Sequence, residues 1–112
     1  MIEIMAMIRP NKTAATKQAL IDVGYPGYTC IKAVGRGKKP ISVKLEDGSS
    51  LLTKLVIKRV FLVVVEDEAK DRVIQAIMKV NQTGNPGDGK IFVSKIVKSF
   101  NVHNENKEEV SL

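Results

Sequence analysis

The chain has 112 residues, 44% hydrophobic and 27% charged, the composition of one ordinary globular domain with its own core. Cys30 is the only cysteine, which excludes an intrachain disulfide, and no apolar run reaches the length of a membrane span. A formal charge of +6 points to an anionic partner: nucleotide, nucleic acid or an acidic protein surface.

Ile2, Ile4, Ala6 and Ile8 alternate with Glu3, Met5 and Met7, which predicts a first strand. Glu3 stands where a secretory leader would be basic, so a cytoplasmic protein is expected. Pro10 suits a helix start, Thr16, Ala19, Leu20 and Val23 recur at helical spacing, and Gly24 supplies the stop. A second strand is predicted from about Tyr25 to Val34. From Gly35 to about Lys54 periodicity disappears among glycine, lysine, serine and aspartate, which predicts a long flexible loop over 35–55. Loops of that length tend to be functional or disordered.

Val56–Val65 carries the strongest strand pattern. Asp67 and Glu68 then place negative charge at a helix start, where the dipole favours it, and Ala69, Val73, Ala76, Ile77 and Val80 form the apolar face of that helix. Ile91–Val97 reads as the last strand, and residues 101–112, with Glu105, Glu108 and Glu109, as a polar tail. The order predicts a single α+β domain over 1–112, a ferredoxin-like βαββαβ sandwich. Val60–Val65 is apolar on both faces, while helices cover one face of such a sheet. Phe61, Val63 or their neighbours would be left in water, so an oligomer is expected.

Between the second helix and the last strand lies Thr83-Gly84-Asn85-Pro86-Gly87-Asp88-Gly89-Lys90. Glycines let main-chain N–H groups curl around an anion, and a lysine at the rim adds charge. Ile91 follows the lysine, so this is not a G-x-x-x-x-G-K-[ST] phosphate loop. Taken alone it is equally a plain glycine turn.

Thr83 to Val93, TGNPGDGKIFV, resembles the C-terminal signature of the PII nitrogen-signalling proteins, and the PII pattern runs without a gap from the Ile2–Arg9 strand to the Lys98–His103 segment. The resemblance implies a homotrimer with inward-facing sheets and ATP or ADP, with AMP as a further possibility, in clefts between subunits. It implies nucleotide contacts from Gly27, Thr29, Gly35, Gly37, Lys38, Thr83, Gly87, Asp88, Gly89, Lys90, Asn101 and His103. Lys90 is the expected phosphate ligand, Gly87 and Gly89 offer N–H groups, and Asp88 shapes the turn. At Lys38 the family more often has arginine; lysine keeps the charge and loses the planar fork. Asn101 and His103 replace the usual arginines, which lowers the positive charge at that end of the site.

The long-loop signature departs further from the family. Leu51 replaces the tyrosine that accepts a nucleotidyl group in many bacterial members, so that modification has no nucleophile here. Asp47 replaces the arginine that plugs ammonium channels, a charge reversal that argues against that partner. Ser49 matches a serine phosphorylated in some relatives. Many relatives sense 2-oxoglutarate beside Mg·ATP through a glutamine, where this chain has Lys39; an ammonium has no lone pair for Mg²⁺. Lys58, which matches the lysine that pairs with the metabolite's carboxylate, is present. Either the metabolite site is lost, or Lys39 neutralises a carboxylate or phosphate directly.

No nucleophile–base set or carboxylate pair is placed for chemistry, and His103, the only histidine, has no metal-ligand set around it. The sequence therefore reads as a nucleotide-sensing adaptor, not an enzyme, acting on a target protein through the long loop. The Gly35-Arg36-Gly37-Lys38 joint resembles the branch associated with nitrogen-fixation genes, which makes nitrogenase the expected target; another transporter or enzyme of nitrogen or carbon metabolism is the alternative. An RNA-binding ferredoxin-like domain would share the fold and the basic charge. It needs aromatic side chains for base stacking, and at 4% aromatic content with no tryptophan the stacking signature is missing, so no nucleic acid is expected.

Overall fold

The computed structural model describes residues 1–103, with the backbone alone at 39–41, 43, 53 and 54; the acidic residues of the expected tail lie outside the described residues. Strand β1 (Ile2–Ile8) leads through a 3-10 turn at Pro10–Lys12 into helix α1 (Thr13–Asp22). Strands β2 (Thr29–Lys44) and β3 (Ser50–Val65) follow, then a second 3-10 turn at Asp67–Ala69, helix α2 (Lys70–Asn81) and strand β4 (Gly89–Lys95). The sheet is antiparallel in the order β2-β3-β1-β4, the α+β ferredoxin-like topology expected.

Alternation along β1 sets the layers. Ile2, Ile4, Ala6 and Ile8 are buried, and their antiparallel partners Val65, Val63 and Phe61 are buried with them. Both helices cover this face, through Leu20 of α1 and Val73 and Ile77 of α2. Where the helices meet, the Asn81 amide donates to the Thr16 hydroxyl at 3.0 Å and to the Ile77 carbonyl at 2.8 Å. The Thr16 hydroxyl in turn donates to the Lys12 carbonyl at 2.8 Å, so the polar pair is tied into the helix backbones. Thr16, placed among the apolar helix residues by its spacing, thus acts in the core through its hydroxyl.

The other sheet face is open, and of the alternatives left by the sequence it presents the neighbours of Phe61 and Val63. Phe61 and Val63 are fully buried under the helices; the residues left outward are Met5, Met7, Val60, Leu62 and Val64, flanked by Ile31 and Phe92 at 46% and 48% exposure. A continuous apolar strand does not reveal its own phase; pairing of Ile4 with Val63 fixes it.

The flexible loop expected over 35–55 is also corrected. β2 and β3 run on as a paired ribbon to a tip at residues 45–49, and the molecule reaches 54 Å in its longest dimension. The ladder holds register from Thr29–Leu62 to Arg36–Leu55, breaks, and resumes from Ile41–Thr53 to Lys44–Ser50. At the break, residues 37–40 of β2 stand against Lys54 of β3, so Gly37 and Lys38 sit in a bulge. Backbone pairing, not burial, makes this ribbon: Val34, Leu52, Leu55 and Ile57 are all exposed. β2 begins at Thr29, later than the expected Tyr25, and β4 ends at Lys95, short of Val97.

Candidate functional site

The glycine loop, 82–89, links α2 to β4, and β4 pairs with β1 from Ile8–Gly89 onward. That register delivers Arg9, the residue just past β1, to the loop. Its guanidinium donates through Nη1 to Asp88 Oδ1 at 2.6 Å and Thr83 Oγ1 at 3.2 Å, and through Nη2 to the Pro86 carbonyl at 2.9 Å. Asp88 Oδ2 accepts the N–H groups of Thr83 at 2.8 Å and Gly84 at 3.0 Å, while Oδ1 also accepts a short bond from the Thr83 hydroxyl. Asp88 thus reaches back across the loop to Thr83 and Gly84 and closes it.

These bonds favour the charged carboxylate. The Thr83 hydroxyl first, then the Thr83 and Gly84 N–H groups and the Arg9 charge, hold Asp88 at about 2. Because this lies below the ordinary carboxylate value, the loop's hold is complete above about pH 4 and is lost as pH falls through about 2. Asp88→Asn is expected to melt earlier than wild type at neutral pH, with the difference closing across that window; a constant difference down to pH 2 would contradict the assignment.

Lys58, on β3 at the root of the ribbon, donates to the Gly87 carbonyl at 2.5 Å. Partial burial, followed by the Arg9 charge, lowers its pKa. Lys90 is exposed on the open face of β4, its ammonium 5.7 Å from the Phe92 ring centre. Thr83, Gly87, Asp88 and Lys58 are therefore joined in one network, with Gly89 and Lys90 at its edge.

The remaining expected residues lie elsewhere in the chain. Gly27 is exposed before β2, and Thr29 opens that strand. Thr29 shares a row with Leu62, Met5 and Phe92 across the whole sheet, so three strand spacings, about 14 Å, separate it from β4. Gly35 lies in the ribbon opposite Val56, and Asn101 and His103 follow β4, half-buried and exposed respectively. Of Lys39 only the backbone is described. Ser49 sits at the ribbon tip, where Asp47 Oδ1 accepts its N–H at 2.9 Å and its hydroxyl at 2.5 Å.

Arg9 was not singled out from the sequence. Its signal was a cation directly after the first strand, which gains meaning only once β1 is known to pair with β4. A cleft of about 440 Å³ adjoins the loop between α2 and β4, lined by Ile74, Ile77, Met78 and Ile91, and carries charge only at its loop end, from Asp88 and Lys90.

Residues 1–106 match the family model described as Nitrogen regulatory protein P-II. The chain belongs to the P-II family. It is 39% identical to a nitrogen fixation nifHD1 region GlnB-like protein 2 of Methanosarcina barkeri, covering 100% of this chain and 99% of the relative. A nifHD region glnB-like protein 2 of Methanococcus maripaludis is also 39% identical, over the full length of both. A P-II protein of Bradyrhizobium diazoefficiens is 36% identical over 91% of each chain. Among solved structures, Arabidopsis thaliana PII bound to citrate matches with a TM-score of 0.76 at 26% identity, covering 98% of this chain and 87% of the plant chain. P-II proteins are signalling regulators, not enzymes, and this chain is of that kind, with the two 39% identical relatives in the branch of the nitrogen-fixation regions. No helix among the described residues is long and apolar enough to cross a membrane.

Proposed function

We propose that this P-II chain is a homotrimeric sensor that holds adenine nucleotide at the glycine loop and reports it through the β2–β3 ribbon to a protein of nitrogen metabolism. One observation carries the reading: Lys58 Nζ lies 2.5 Å from the Gly87 carbonyl. The loop that would hold phosphate is thus tied directly to the root of the element that would meet the target, so a ligand that shifts the loop shifts the ribbon. Gly27 and Thr29 sit on the edge of the sheet opposite the loop, which suits a cleft completed by a second subunit. Association of the open apolar face of Met5, Leu62 and their neighbours supplies that subunit.

The nitrogen-fixation region relatives support nitrogenase as the target class. Lys39 in place of a metal-coordinating amide supports a weak or absent Mg²⁺-bridged 2-oxoglutarate response, with ATP and ADP as the main signals.

Lys90 is the phosphate ligand in this reading. Lys90→Ala removes a charge-assisted contact of about 1.5–3 kcal/mol, so calorimetry with ATP is expected to show affinity weakened by about tenfold or more. Equal affinity in wild type and variant would take the loop out of the site.

A further inference from the structure

Phosphate binding by a glycine loop needs its N–H groups on the outside and its carbonyls turned away, and glycine flexibility alone does not choose between those two faces. In this chain two cations choose. Arg9 Nη2 draws the Pro86 carbonyl at 2.9 Å, and Lys58 Nζ draws the Gly87 carbonyl at 2.5 Å. In a planar trans peptide the N–H points opposite to the C=O. Drawing those two carbonyls toward the sheet therefore turns the Gly87 and Asp88 N–H groups away from it.

We propose that Arg9 is a positioning residue of the glycine loop: its fork sets which face of the Pro86–Gly87 peptide is offered to an anion, beside Lys58 on the Gly87–Asp88 peptide, and it does so without touching the ligand. The inference rests on the reading of the loop as a phosphate site, but the shape it assigns to the loop can be measured without any nucleotide. One arm of the fork holds the Pro86 carbonyl while the other holds Asp88 Oδ1, and Asp88 in turn holds the Thr83 and Gly84 N–H groups. A single side chain thereby fixes both ends of the loop. The fit leaves little slack: a Cβ added at Gly87 would lie 3.2 Å from Arg9 Nη2.

The planar fork is the property at issue, because a lysine at position 9 keeps the charge but cannot serve two acceptors in that geometry. Arg9 is also partly exposed and outside the core, so its replacement does not open a cavity.

The test compares wild type with Arg9→Lys and Arg9→Gln in two measurements. The first is amide hydrogen exchange in the nucleotide-free protein. Thr83 and Gly84 are expected to exchange faster in both variants, while the core strands keep their protection. The second is ATP binding by calorimetry, expected to weaken by about tenfold or more in both, the scale of one lost charge-assisted bond. Full restoration of both readouts by Arg9→Lys would mean that charge alone matters and would overturn the proposal. Unchanged exchange at Thr83 and Gly84 would overturn it too, as would faster exchange with unaltered ATP affinity. Failure of the wild type itself to bind ATP would remove the nucleotide reading, and the exchange data would still decide whether Arg9 sets the loop.

Discussion

Leu62→Glu is expected to leave a folded monomer. Leu62 lies at the centre of the open sheet face, in the row that runs Thr29, Leu62, Met5, Phe92 across all four strands. It points away from the helices, so the core of Phe61, Val63 and Ile77 does not feel the change. In an assembly that buries this face, a carboxylate without a partner costs several kcal/mol, and in a closed ring the cost recurs at every subunit. Light scattering coupled to size exclusion would report a trimer for wild type and a monomer for the variant, with similar circular dichroism. A variant that stayed trimeric would move the interface to another surface.

Gly89→Ala is expected to cost about 3 kcal/mol or more and to abolish ATP binding. Gly89 has φ +123°, and a Cβ built on it would lie 1.9 Å from the Met7 carbonyl oxygen. That neighbour is backbone of the central strand β1, so it cannot rotate aside. The Ile8–Gly89 pair, first of the β1–β4 ladder, must open, and Lys90 moves with it. Gly84→Ala provides the contrast. Gly84 has φ +85° but nothing within 4 Å of an added Cβ, so only the backbone preference of about 1–2 kcal/mol is lost. Urea denaturation of the two variants should separate them clearly; equal losses would mean that the β1–β4 contact relaxes freely.

The sequence was most legible where one period was kept. β1 declared its buried face because polar Glu3 interrupts the apolar residues, and α2 declared its own through Val73 and Ile77. Val60–Val65 offered no such contrast, so the face given to Phe61 depended on its pairing with Ala6, a contact 55 positions away in sequence. The ribbon was missed for a different reason. Its strands are held by backbone bonds and bury few side chains, so no apolar alternation was required, and the bulge at 37–40 breaks whatever phase there is. Within the site, the glycine loop could be read from Thr83 to Lys90 because its residue types are unusual. The cations that fold it, Arg9 just past β1 and Lys58 on β3, are distant in sequence, and only tertiary structure brings them to Asp88 and Gly87.

Occupancy of the glycine loop is expected to be passed to the ribbon through Lys58. Amide exchange over residues 36–55, with and without saturating ATP, tests it most directly. Ribbon exchange is expected to change on ATP addition, and the change to disappear in Lys58→Met, where the tie to the Gly87 carbonyl is cut. ATP that binds and leaves ribbon exchange unchanged would contradict it.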